Sequence, residues 1–268
     1  MSSDGKEAPA QRRVLRYRRS DGRLHEASDE LVLEAPLELV AGEEVLSVVM
    51  RTPGHDLELI RGLLHAEGVL RADDSDVLRQ VDRDRVELTL AANELEERWH
   101  RRSLLSSASC GVCGTTSLAL LDQEAGALGS TQQWHAEDIM ALPDRLRDAQ
   151  TLFRSTGGLH GAGLFGAGGE LLQCREDIGR HNAVDKLVGW ALEQCPETLD
   201  SALLCVSGRV SFEIVQKAIA ARIPVIVAVS AASSLAVDLA ERWRLTLVGF
   251  VRESGFNVYS HGARIATD

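Results

Sequence analysis

The chain of 268 residues is 44% hydrophobic and 26% charged, with a formal charge of −11. That is enough apolar material for one large or two ordinary buried cores, and it excludes a fibre or a disordered chain. Aromatics at 4% and an acidic balance also disfavour a nucleic-acid binder, which needs stacking platforms and a basic surface.

Residues 1–25 carry a run of arginines and read as a polar, solvated tail. Arg12–Arg13 is followed by Arg16, Arg18, Arg19 and Asp21 rather than an apolar segment, which argues against an export signal. Residues 26–132 read as a mixed α+β domain. Glu34 to Met50 predicts two strands turned at Ala41–Gly42–Glu43, with Pro36 placing the first near a sheet edge. Leu57, Ile60 and Leu64 then recur at helical spacing up to Gly68, with Asp56 or Thr52 as the expected cap. Leu78 to Leu90 predicts two short strands around Asp82–Arg83–Asp84.

Residues 133–268 read as an α/β domain. A helix is expected from Ala136 to Arg154, then a Gly-rich hairpin from 157 to 176, then alternating helices and strands. Val184, Leu187, Val188, Ala191 and Leu192 share one face of a helix from His181 to Gln194. Strands are expected at Ala202–Val206, Pro224–Val229 and Thr246–Val251. In such sheets ligands gather beyond the carboxyl ends of strands, here Ser207–Gly208–Arg209, Ser230 to Ser234 and Phe250 to Gly255. No stretch reaches the roughly 18 apolar residues of a membrane helix. Five cysteines, an odd number, suit the reduced cytosol better than a disulfide framework.

Four groups of residues carry chemistry. Cys110–Gly111–Val112–Cys113 offers two thiols that can accept sulfur as a persulfide, cycle as a disulfide, or form half of a zinc site. The zinc reading needs two more ligands, and Cys174, Cys195 and Cys205 show no second paired spacing. Gly161 to Gly166 matches G-x-G-x-x-G, yet a return strand follows at once, so the glycines read as turn residues, while His160 is either packed or accessible. Glu176 to Lys186 opens a helix with Asp177, Arg180 and His181, which suits either a solvated start or an anion cradle. Arginine there, as at Arg209 and Arg252, can pair with phosphate by bidentate hydrogen bonds.

Taken in order, Met50–Arg51–Thr52–Pro53–Gly54, the Cys110/Cys113 motif, Gly157–Gly158–Leu159–His160, Asp177 to Asn182, Ser207–Gly208–Arg209 and Phe250 to Tyr259 resemble the formate dehydrogenase accessory sulfur carriers, the FdhD family. The resemblance implies a cytoplasmic sulfurtransferase. It would take persulfide sulfur from a cysteine desulfurase and pass it to a molybdenum (or tungsten) bis-guanine-dinucleotide pterin cofactor, held as a bound substrate, for formate dehydrogenase. It also implies Cys110 as the persulfide carrier with Cys113 as partner, a cofactor-contacting segment at Phe250–Val251–Arg252–Glu253–Ser254–Gly255, a cytidine-deaminase-like second domain, and a homodimer. His160, Asp177, Arg180, Arg209 and Arg252 are the further candidates for holding the cofactor or a GDP-like fragment of it. No permanent metal, nucleic acid or membrane is expected. Deaminase chemistry itself is not, since His160 is followed by Gly161–Ala162 rather than by a glutamate. A non-catalytic cofactor chaperone and a thiol–disulfide oxidoreductase are the alternatives.

Overall fold

The computed structural model describes residues 9–103 and 126–267. Much of the expected tail is in fact an antiparallel ribbon, in which β1 (Ala10–Arg18) pairs along its whole length with β2 (Arg23–Leu31). No buried face marks these strands in the sequence: Leu15 and Tyr17 are exposed, and the arginines dominate any reading based on charge.

The first module is a four-stranded sheet in the order β4-β3-β6-β5, built from β3 (Ala35–Ala41), β4 (Glu44–Arg51), β5 (Leu78–Asp82) and β6 (Arg85–Leu88). Contrary to expectation, β3 is an interior strand. Pro36 is tolerated because β6 pairs only with Glu38 to Val40 and leaves the start of β3 without a neighbour on that side. Helix α1 (Asp56–Ala66) buries Leu59, Ile60 and Leu64 against Leu37, Leu39, Val86 and Leu88. Neither expected cap is used. His55 stands at the N-cap in the left-handed region, and the Asp56 carboxylate instead takes bidentate hydrogen bonds from the fully buried Arg51, at 3.0 and 2.9 Å. Helix α2 (Ala92–Ser103) completes this module.

The second module is a six-stranded sheet flanked by helices on both faces, and with the first it makes the mixed α+β and α/β chain expected. Its elements are β7 (Trp134–His135), α3 (Ala136–Ala149), α4 (Thr151–Thr156), β8 (His160–Phe165), β9 (Leu171–Asp177), α5 (Arg180–Gln194), β10 (Leu203–Val206), α6 (Phe212–Ala220), β11 (Val225–Ala228), α7 (Ser234–Arg242), β12 (Thr246–Arg252), β13 (Gly255–Ser260) and β14 (Ile265–Ala266). The large sheet runs β13-β12-β11-β10-β8-β9, with β10, β11 and β12 parallel and the β8–β9 hairpin antiparallel beside them. Leu204, Val206 and Ile226 meet α5, α6 and α7 on one face, while Leu203, Val225 and Val227 meet α3 on the other. Burial on both faces is why β10 and β11 read as unbroken apolar runs.

The single helix expected from Ala136 to Arg154 is broken at Gln150, whose ψ of 87° is not helical. The cause is tertiary: the Glu176 carboxylate on β9 accepts from the amides of Leu152 and Phe153, at 3.0 and 2.7 Å, and so starts α4 afresh.

The two modules are joined by α1 packing on α5. A Cβ on Gly62 would lie 2.0 Å from the Asp185 carbonyl oxygen, and one on Gly189 would lie 1.9 Å from that of Glu58. Only two glycines let these backbones approach so closely. Arg175 adds a bidentate pair to Glu58, at 2.6 and 2.8 Å.

Candidate functional site

The parallel strands deliver their carboxyl ends to one edge of the sheet, and the β8–β9 hairpin brings its open end to the same place. Ser207 follows β10 there and is clamped to β8: its amide donates to the Gly161 carbonyl at 3.0 Å, and its hydroxyl oxygen accepts from the Gly161 amide at 2.9 Å. The clamp leaves the hydroxyl proton free to point elsewhere. A cleft of about 380 Å³ opens at this edge, with Ser207, Val229, His160 and Gln150 in its wall and Leu146, Phe153 and Leu159 as its apolar sides. That volume lies in the range of small-ligand sites.

His160 opens β8 and is half-buried. Its Nδ1 lies 3.2 Å from where a Cβ on Gly208 would stand, so the glycine of Ser207–Gly208–Arg209 is what admits the ring. Arg180, the first residue of α5, brings its Cδ to 3.8 Å from the same point. Its Nε is buried without a hydrogen-bond partner among the described residues. Arg209 is exposed beside them. Burial first, then the positive charges of Arg180 and Arg209, hold the His160 imidazole below its ordinary pKa, so it is neutral at pH 7. Two guanidiniums near a neutral imidazole, one of them with an unused buried donor, suit an anion. His181 donates or accepts at Ser211 Oγ (3.0 Å) and sits 2.9 Å from Glu213, whose carboxyl it holds below the usual range.

The segment Phe250 to Gly255 ends β12 and opens β13 at this same edge, though none of it lines the cleft. Phe250 is exposed, at φ +54°, and its amide donates to the Ser230 carbonyl at 3.1 Å. Arg252 reaches back to the carbonyls of Val229 and Val251, at 2.6 and 2.7 Å, which sets it on the rim through Val229. Glu253 and Ser254 are exposed in the turn. The Val251 side chain is buried in the core beneath α3, so what it offers this edge is its backbone.

Asp177 lies deeper than the other candidates. It is fully buried at the end of β9, and its oxygens accept from the Thr52 amide (3.1 Å), the Gly179 amide (2.8 Å), Asn182 Nδ2 (3.0 Å) and Lys186 Nζ (2.8 Å). Four donors saturate the carboxylate, so it ties the Arg51–Gly54 loop to the second module instead of facing a ligand. The Thr52 hydroxyl returns the tie by accepting from the Ile178 amide at 3.1 Å.

Cys110 and Cys113 lie outside the described residues. At the position where a deaminase carries its glutamate stands Ala162, fully buried. The hairpin therefore has no glutamate at the deaminase position. Gln150 is a residue that sequence reasoning passed over. A glutamine in an expected helix carries no signal, and only the break after α3 turns it into the cleft wall.

Comparison with known proteins matches residues 32–266 to the model of the FdhD/NarQ family. A protein of Streptomyces avermitilis named sulfur carrier protein FdhD is 44% identical over 95% of this chain and 95% of its own. Proteins of the same name from Mycobacterium tuberculosis and Thermoplasma acidophilum are 44% and 42% identical, over 88% and 94% of this chain and 92% of each of their own. A crystal structure from Desulfotalea psychrophila, described as that of a formate dehydrogenase accessory protein, superposes with a TM-score of 0.77 at 22% identity. It covers 97% of this chain and 100% of its own, a likeness of fold.

Proposed function

Since the chain belongs to the FdhD/NarQ family, we propose that it is a sulfur carrier of formate dehydrogenase maturation. In finer terms, the Cys110 thiolate attacks the outer sulfur of a cysteine desulfurase persulfide. The donor S–S bond breaks, a new one forms on Cys110, and the desulfurase thiolate leaves. The sulfur is then passed in the cytoplasm to a molybdenum or tungsten bis-guanine-dinucleotide pterin, with Cys113 as the neighbouring thiol.

The observation that carries this reading is the agreement, over nearly the whole chain, with relatives named as sulfur carriers, in a sequence that holds the Cys110/Cys113 pair. The anion-suited group of His160, Arg180 and Arg209 supports a phosphate-bearing substrate. Arg180 has an unused buried donor for it, and Gly208 leaves the room. The nucleotide phosphates belong there and a ring in the apolar part of the cleft. A homodimer is part of the same reading.

The test is mass spectrometry after incubation with a cysteine desulfurase and cysteine. Wild-type protein gains one sulfur, and Cys110→Ser gains none while keeping its melting temperature. Equal loading of the two removes Cys110 from the role. A protein that binds GDP but never gains sulfur is a cofactor chaperone instead.

A further inference from the structure

Glu176 stands between two residues that anchor β9 to the first module, Arg175 through Glu58 and Asp177 through Thr52. Its own side chain alternates to the other side of the strand, where its two oxygens hold the Leu152 and Phe153 amides at the start of α4. The helix it grips is loosely seated. None of the six residues of α4 is buried, and a void of about 10 Å³ lies behind it, between Leu152, Thr156 and Val32. Both of its ends are joints. Gln150 at one end has a ψ of 87° and is pinned on β8, where a Cβ on Gly161 would fall 2.4 Å from its Cδ. Gly157 at the other end has a φ of +67° and is followed by Gly158. Phe153 of α4, with Gly157, Gly158 and Leu159 beyond it, forms one wall of the cleft of about 380 Å³.

We propose that α4 is a hinged flap on this cleft, latched by the Glu176 carboxylate, and that a ligand enters and leaves when the latch opens. The inference rests on the cleft holding the ligand of the reading above, and adds the device that admits it. The first amides of a helix have no acceptor inside it, so an outside oxygen decides whether a short helix keeps its start. Six residues are too few to stay helical in water unaided, and α4 has no buried side chain to hold it. The carboxylate is therefore the main tie at its start. β9 cannot yield in its place, because the Arg175 pair to Glu58 and the four donors around Asp177 fix the strand on either side of Glu176. When the latch opens, the motion falls to α4. Gln150 and Gly157–Gly158 absorb it, as residues at the ends of elements do in hinges, and Phe153 leaves the wall. Glu176 does not line the cleft itself. It is a positioning residue that acts through α4.

The test has two readouts on the full chain: amide exchange by nuclear magnetic resonance, and stopped-flow binding of GDP carrying a methylanthraniloyl fluorophore on its ribose. The amides of Arg154 and Gly157 bond to the Gln150 and Phe153 carbonyls at 3.2 and 2.7 Å and so report on α4 as a unit. In Glu176→Ala they exchange about tenfold faster than in wild type, the ratio that one or two hydrogen bonds supply. The Gln150 amide, bonded to Leu146 in α3, keeps its rate. Glu176→Gln retains one oxygen acceptor and falls between. In wild-type protein the binding rate levels off with nucleotide concentration at the rate of opening. In Glu176→Ala that ceiling rises about tenfold and dissociation quickens with it, so affinity changes little. Equal binding rates in the two proteins, or unchanged exchange at Arg154 and Gly157, overturn the flap and leave the nucleotide reading standing. Exchange that quickens equally through α3 and β8 also overturns it, because Glu176 then supports the fold at large. Failure of labelled GDP to bind either protein overturns the flap together with the nucleotide reading.

Discussion

Lys186 Nζ lies 2.8 Å from the Asp177 carboxylate, and both side chains are closed to solvent. The same ammonium donates to the Thr52 carbonyl at 2.8 Å, so one buried pair joins β9, α5 and the loop after β4. Asp177→Asn leaves Lys186 buried beside a neutral group. The expected cost is about 3 kcal/mol, the range for removing one partner of a buried pair, with a fall of several degrees in melting temperature. Chemical denaturation measures it. An unchanged midpoint would show that the tie contributes little.

Gly62 and Gly189 make a sterically harsher prediction, because in each the neighbour that a Cβ would strike is backbone. Either Gly62→Ala or Gly189→Ala must separate α1 from α5. We expect about 3 kcal/mol of destabilisation, at the upper end of overpacking effects. Limited proteolysis should also cut the loop after β4 faster, since the Arg51–Gly54 segment depends on that contact. Wild-type resistance in both variants would mean that the helices can part at little cost.

Asp185 on α5 is fully buried, and burial lifts its carboxyl to about 6, although Lys217 Nζ stands 2.7 Å away and opposes the shift. His181 also lowers it and Glu67 raises it. The folded state therefore holds this proton more tightly than the unfolded chain does. Stability from this group is greatest below the ordinary aspartate value and declines as pH rises from about 4 to about 6. Glu58 has the opposite sign. Burial alone would raise it, but hydrogen bonds from Arg175 and His55 hold it low, so its contribution is lost on acidification. Urea unfolding between pH 4.5 and 7 should show a downward slope that Asp185→Asn flattens; identical slopes would remove Asp185 as the cause.

His160 should titrate below the ordinary histidine value in nuclear magnetic resonance, for reasons of burial and the charges of Arg180 and Arg209. Arg180→Ala and Arg209→Ala each raise its midpoint, and a bound diphosphate raises it further by offsetting those charges. A midpoint indifferent to both arginines would place them too far away to share an anion with the ring.

Arg252 is held on the rim by two carbonyls, the nearer at 2.6 Å. If it pairs with a phosphate of the cofactor, Arg252→Ala weakens GDP binding by roughly ten- to a hundredfold, the span of a charge-assisted contact. Persulfide loading of Cys110 stays unchanged. Calorimetry that finds equal GDP affinity takes Arg252 out of the site, and leaves the phosphate to Arg180 and Arg209 beside His160.

The elements whose pattern is local were legible in the sequence. Helical spacing from Ile60 to Leu64 and from Val184 to Leu192, the apolar runs of β10 and β11, and the glycine-bounded hairpin of β8 and β9 all stand where their pattern puts them, because each pattern is the imprint of burial, although Leu57 at the start of the first is exposed. The carboxyl edge as the gathering place of Ser207, Arg209 and the Phe250 segment followed from strand direction alone.

What only tertiary structure decided are contacts between residues far apart in the chain. Glu176 breaks the helix at Gln150, and Arg51 draws Asp56 away from capping. Asp177 looks like a ligand-facing acid until donors from Thr52 and Lys186 close around it. Likewise Gln150 is an ordinary polar residue until the break sets its amide on Gly161. A sequence records which side chains prefer burial and at what period, but whether a particular polar group is satisfied depends on its neighbours in space, and those are set by the packing of α1 on α5 and of α3 on the sheet.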